Sequence, residues 1–126
     1  MRALIIDDSR SMRMILGKTL NELGVETLQA ANGKQGLEVL HATPGVDFVL
    51  VDWHMPEMDG YEFVCAARAE PALAGLPIVM VTSEAETDLI QQALDAGASE
   101  FVMKPFTADA IRIKLSMIGI ELGSTP

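Results

Sequence analysis

The chain has 126 residues, 49% of them hydrophobic and 5% aromatic, a formal charge of −9 and a single cysteine. That length fits one domain with a core that needs no staples, and lone Cys65 excludes an internal disulfide and agrees with a reduced, cytoplasmic setting. An acidic balance with no run of Lys or Arg argues against binding nucleic acid, and no segment approaches the roughly 20 apolar residues of a membrane span or the core of a signal segment, so the chain reads as soluble.

Ala3 to Ile6 is an apolar, strand-like run that stops at Asp7-Asp8. Met12, Ile15, Leu16, Leu20 and Leu23 then recur at helical spacing up to Gly24. Val25 to Ala30 is a more polar strand, suited to a sheet edge. Asn32-Gly33 makes a turn, and Gly36 to Ala42 is a weaker helix broken at Pro44-Gly45. Phe48 to Val51 is a continuous apolar run, as in a strand covered on both faces. A helix from about Tyr61 to Glu70, the strand "IVMVT" after Pro77, and a helix marked by Leu89, Ile90, Ala93 and Leu94 follow. "EFVMK" and a helix from Thr107 to about Ile118 complete the pattern. Five strand-helix units in one small domain imply an α/β fold. We expect an open five-stranded parallel sheet, order 2-1-3-4-5, doubly wound (flavodoxin-like) with five helices. Ligands of such sheets bind outside the carboxyl ends of the strands, where the order reverses between the first and third.

Those strand ends carry the chemistry. The first strand ends at Asp7-Asp8, the third at Asp52, the fourth at Thr82 and the fifth at Lys104. Two carboxylates about 4 Å apart repel by roughly 4 kcal/mol at the effective dielectric of a protein edge, so the cluster needs a counter-charge. Hard oxygen ligands suit Mg²⁺, while neither His nor Cys is grouped to suit zinc. Thr and Lys are natural partners of a phosphoryl group. Together these residues read as a phosphoryl-transfer site with Asp52 as the receiving carboxylate, because it follows the most buried strand and heads the loop "WHMPEMDG". Singly, each has an ordinary use as a cap, turn or solvated charge; the joint occurrence at four strand ends is what makes the pattern specific.

The stretches "IIDDSRSMR", "VDWHMPEMDGYEF", "LPIVMVTSEAE" and "AGASEFVMKPFTADAI" resemble, in order and over nearly the whole chain, the receiver domain of two-component response regulators, most closely the single-domain chemotaxis kind. The resemblance implies a receiver over residues 1–122 with 123–126 as a C-terminal tail. It implies that Asp52 accepts a phosphoryl group from a phosphohistidine on a sensor histidine kinase. Asp8, Asp52 and the backbone carbonyl of His54 would hold Mg²⁺ directly, with Asp7 acting through water. Thr82 and Lys104 would bind the phosphoryl oxygens, Lys104–Pro105 would be a cis peptide, and Thr82 and Phe101 would form a switch acting on the surface of the fourth helix, fifth strand and fifth helix. The protein would be a phosphoacceptor with slow self-dephosphorylation rather than a turnover enzyme. Its output would lie in chemotaxis, with a flagellar motor switch as one target; a phosphorelay intermediate or a receiver taken from a larger regulator are the alternatives.

Some positions depart from that pattern or tune it. Phe101 stands where the chemotaxis proteins typically carry Tyr, so a switch hydroxyl is missing. His54 and Glu84 flank the expected line of water attack and would tune dephosphorylation. On the last helix Ile111, Leu115 and Ile118 form one apolar stripe, and Ile113, Met117 and Ile120 form a second, nearly opposite one. The second stripe is expected to dock a target, a second copy (a homodimer) or a further domain, unless the helix ends near Ile118. An aspartyl-nucleophile phosphohydrolase is the rival from another class, but it would usually carry a second Asp two residues after the nucleophile, where His54 stands. A flavin carrier would need a phosphate-binding loop where Asp7 and Asp8 lie.

Overall fold

The computed structural model describes residues 1–83 and 87–122. Its elements follow in strict alternation: β1 (Arg2–Ile6), α1 (Arg10–Glu22), β2 (Glu26–Ala30), α2 (Gly33–Ala42), β3 (Phe48–Asp52), α3 (Gly60–Arg68), a 3₁₀ turn (Pro71–Leu73), β4 (Ile78–Thr82), α4 (Thr87–Ala96), β5 (Glu100–Met103) and α5 (Ala108–Met117). All strands pair in parallel in the order β2-β1-β3-β4-β5. The fold class expected from the sequence is therefore the one observed.

The side-chain period of two sorts each strand between two cores. Ala3, Ile5, Phe48, Leu50, Val79, Val81 and Val102 face α1 and α5, where Leu16, Leu20, Ile111 and Leu115 close the layer. Leu4, Ile6, Val49, Val51, Ile78 and Met80 face α2, α3 and α4, meeting Leu40, Phe63, Val64, Ala67 and Ala93. Every residue of β3 and β4 is buried, which is why these strands read as unbroken apolar runs. Each large aliphatic or aromatic side chain so buried contributes about 1.5–3 kcal/mol. β2 pairs on one side only and leaves Glu26 and Gln29 exposed, as its polar sequence suggests.

Caps set the helix ends. Ser9, Asn32 and Thr107 each accept a hydrogen bond from the backbone amide three residues on, and Asp59 and Glu62 form a reciprocal capping box at α3. Asn32 explains why α2 starts at Gly33 and not at Gly36 as the apolar spacing suggested. Gly36 lies against β1; a Cβ there would run into the Ile6 side chain.

α5 ends close to where its spacing suggested, at about Ile118, but the residues after it do not continue the second stripe. The helix stops at Met117, and Gly119, at φ 91°, turns the chain so that the Ile120 amide donates to the Leu115 carbonyl at 2.9 Å. Ile120 and Leu122 thereby fold back into the core beside α1. Ile120, 8% exposed, is thus no part of a docking stripe, whereas Ile113 and Met117 are 50% and 65% exposed. The helical extrapolation failed because the left-handed turn reverses which face the next side chain meets.

Candidate functional site

Strand register builds the site. Ile6 pairs with Val51, so Asp7 and Asp52, each one residue further on, emerge side by side at the carboxyl edge. Asp52 pairs with Val81 and Thr82 with Met103, which brings Thr82 and then Lys104 to the same edge. The Lys104 amide donates to the Thr82 carbonyl at 2.6 Å and prolongs the ladder to the last site residue. Carboxylate oxygens of Asp7, Asp8 and Asp52 lie within 4.8 Å of one another. Lys104 Nζ is 3.1 Å from Asp52 Oδ1, in an ion pair whose two side chains are 27% and 11% exposed.

The three carboxylates are unequal. Asp8 is exposed, and Asp7 and Asp52 are buried. The Asp7 backbone amide donates to the Ala30 carbonyl at 3.1 Å, and its Oδ1 accepts from the Ser9 amide at 2.8 Å. Its Oδ2 is buried and has no hydrogen-bond partner. Burial pushes the Asp7 carboxyl above its ordinary 3.8, and Asp52 and Asp8 push the same way, against the Ser9 amide and Lys104, which favour the charged form. A buried carboxylate oxygen without a partner, on a residue clustered with two more carboxylates, is the arrangement a divalent cation would complete. All-oxygen donors suit Mg²⁺ rather than zinc, so the residues present fit the expected ion.

The loop after β3 is held close by glycine. The Gly60 amide donates to the Trp53 carbonyl at 2.9 Å. A Cβ on Gly60 would collide with the Asp52 carbonyl oxygen, and would lie 3.1 Å from Trp53 Cα. Only glycine lets α3 begin this near the strand that carries Asp52. Two residues before Gly60, the Met58 carbonyl accepts from the Gly33 amide at 3.1 Å, fastening the loop to α2.

Thr82 is fully buried, and its hydroxyl donates to the Ser83 carbonyl at 3.4 Å. Phe101 is half-buried on the face shared by Thr82 and Met80, with the Lys114 ammonium 4.4 Å from its ring centroid. Lys114 also pairs with Glu100 at 3.5 Å. The Lys104–Pro105 peptide is cis. His54 directly follows Trp53, with its side chain exposed. Glu84 lies outside the described residues.

Two contributors escaped the sequence reading. Arg13 Nη1 donates to the Asp7 carbonyl at 2.6 Å, and Arg13 Nε to Gln29 Oε1 at 3.2 Å. A cation one turn into the helix that follows an acidic pair was the available signal for Arg13. Gln29, an exposed edge-strand residue, offered none.

A family model described as the response regulator receiver domain matches residues 3–116. The chain is 41% identical over 119 residues to the chemotaxis protein CheY of Pseudomonas aeruginosa, covering 94% of this chain and 95% of that one. It is 37% identical to chemotaxis protein CheY1 of Helicobacter pylori strain J99, covering 94% and 96%. Among solved structures, Vibrio cholerae CheY4 superposes with a TM-score of 0.85 at 32% identity, over 93% of this chain and 97% of that one. Among the described residues no helix is long and apolar enough to cross a membrane. With the matched residues running from β1 to the last turn of α5, the chain belongs to the response regulator receiver family of two-component signalling proteins and is CheY-like within it.

Proposed function

We propose that the protein is a cytoplasmic phosphoacceptor in which Asp52 takes a phosphoryl group from a phosphohistidine on a sensor histidine kinase. The observation that carries this reading is the convergence of Asp7, Asp8 and Asp52 beside Lys104, with one buried Asp7 oxygen left without a partner. Asp8, Asp52 and the His54 carbonyl would hold Mg²⁺ directly, with Asp7 acting through water. When bound, Mg²⁺ supplies positive charge that offsets the three carboxylates and the transferring oxygens. An Asp52 carboxylate oxygen attacks phosphorus, forming the P–O bond as the P–N bond breaks; the electron pair leaves with the imidazole, which takes up a proton. Lys104 exchanges part of its contact with Asp52 for a phosphoryl oxygen. The Thr82 hydroxyl donates to another.

Those two contacts exist only with the phosphoryl group in place, so they shift the population toward the arrangement in which Thr82 and Phe101 have moved. The face of α4, β5 and α5, including exposed Ile113 and Met117, then receives an output protein. The likeness to chemotaxis proteins supports a flagellar motor switch as that target. Water later attacks phosphorus and returns Asp52 to its free form, at a rate tuned by His54 and Glu84. The receiver unit extends over residues 1–122, since Leu122 is still in the core; the C-terminal tail expected at 123–126 lies outside the described residues.

The test uses Trp53, the chain's only Trp, next to Asp52 and 6% exposed. With Mg²⁺ and a small acyl phosphate donor, its fluorescence should change, with a single phosphoryl group incorporated per chain and slow release of phosphate. Rapid turnover of many donors without a labelled protein would favour a phosphohydrolase.

A further inference from the structure

The Asp7–Asp8 peptide must bend so that consecutive carboxylates reach one cation, because neighbouring side chains of an extended strand diverge. Three contacts hold that bend. The Asp7 amide is on the Ala30 carbonyl at 3.1 Å, the Ser9 amide is on Asp7 Oδ1 at 2.8 Å, and Arg13 Nη1 is on the Asp7 carbonyl at 2.6 Å. The first two orient the amide and side chain of Asp7 itself. Only the third grips the carbonyl of the peptide that leads into Asp8. Arg13 is half-buried and is steadied in turn by Gln29 of β2 at 3.2 Å, so the guanidinium ties α1 to β2 and to the residue that follows β1.

We infer that Arg13 is a positioning residue for the Mg²⁺ site: by fixing the Asp7–Asp8 peptide plane it holds the exposed Asp8 carboxylate toward Asp7 and Asp52 against their mutual repulsion. The inference rests on the reading of this cluster as a Mg²⁺ site. Arg13 touches neither the ion nor the phosphoryl group. Its charge alone would act the other way, because a guanidinium near a cation site repels the cation. Positioning and charge therefore predict opposite signs when the side chain is removed.

The test is a Mg²⁺ titration of Trp53 fluorescence without any phosphodonor, on the wild type and on Arg13→Ala, Asp8→Asn and the double variant. Removing a residue that orients a metal ligand typically weakens binding by about 10–100-fold, and for this indirect hold through a backbone carbonyl we expect about tenfold, the lower end. In the Asp8→Asn background the same removal should cost little, because its effect runs through Asp8. Arg13→Lys, which keeps the charge but only one donor centre, should fall between wild type and Ala; it carries the same criteria if the Ala variant does not fold in EDTA. Unchanged or tighter Mg²⁺ binding by Arg13→Ala would overturn the inference, as would an equal loss in the Asp8→Asn background. A wild type with no Mg²⁺ response at all would instead overturn the Mg²⁺ site, and the role of Arg13 with it.

Discussion

Asp7 shows how one residue can cost the fold stability and still suit the site. Its folded carboxyl titrates above 3.8, chiefly because of burial, so the charged form is disfavoured in the folded state. Between the unfolded and folded values the native state binds more protons. Stability is therefore greatest below 3.8 and is lost as pH rises through the folded value. Asp7→Asn should raise the melting temperature in EDTA at neutral pH, with the gain shrinking as pH falls toward 3.8. Millimolar Mg²⁺ should stabilise the wild type more than the variant, and thermal melts at several pH values with and without the ion read both effects. Glu57 is a second local cost. At φ 66° it occupies the left-handed region, with the Met58 amide donating to the Pro56 carbonyl across it at 2.7 Å. Glu57→Asn should stabilise the chain by roughly 0.5–1 kcal/mol, read as a shift in the urea midpoint.

Elements with a strong period were legible, and their ends were not. β3 and β4 announced themselves as unbroken apolar runs because both faces are covered, and β2 as an edge because it is not. The start of α2 depended on a cap, and the path of the chain after α5 on one left-handed glycine, neither of which spacing alone weighs. α5 makes the difference measurable. Ile120→Ala should destabilise by about 2 kcal/mol, since it opens a cavity beside buried Leu115. Met117→Lys, on a side chain 65% exposed, should change stability by less than about 0.5 kcal/mol. Equilibrium denaturation of both variants checks the assignment of one residue to the core and the other to the surface. If Ile113→Lys with Met117→Lys left output-protein binding intact, the proposed docking role of that face would fall.

Over the whole molecule, the parallel sheet does the gathering. Residues as far apart as Asp7, Asp52, Thr82 and Lys104 reach one edge because four adjacent strands end there, and carboxylate oxygens of Asp7 and Asp52 come within 4.8 Å while Lys104 Nζ lies 3.1 Å from Asp52 Oδ1. That convergence was legible once the strand order was inferred, since each residue is named by its place at a strand end. What held the ends in position was less so. Arg13 and Gln29 act across separate elements through a backbone carbonyl and a side-chain amide, with no signature in local spacing. The partner of the Phe101 ring, Lys114 of α5, was hidden for the same reason. The central claim is that this edge accepts a phosphoryl group on Asp52. Intact-mass measurement with a small acyl phosphate, in Mg²⁺ and in EDTA, followed by borohydride reduction to locate the modified carboxylate, tests it most directly. The account predicts a single Mg²⁺-dependent phosphoryl group on Asp52 and none on Asp52→Asn; equal labelling of Asp52→Asn would contradict it.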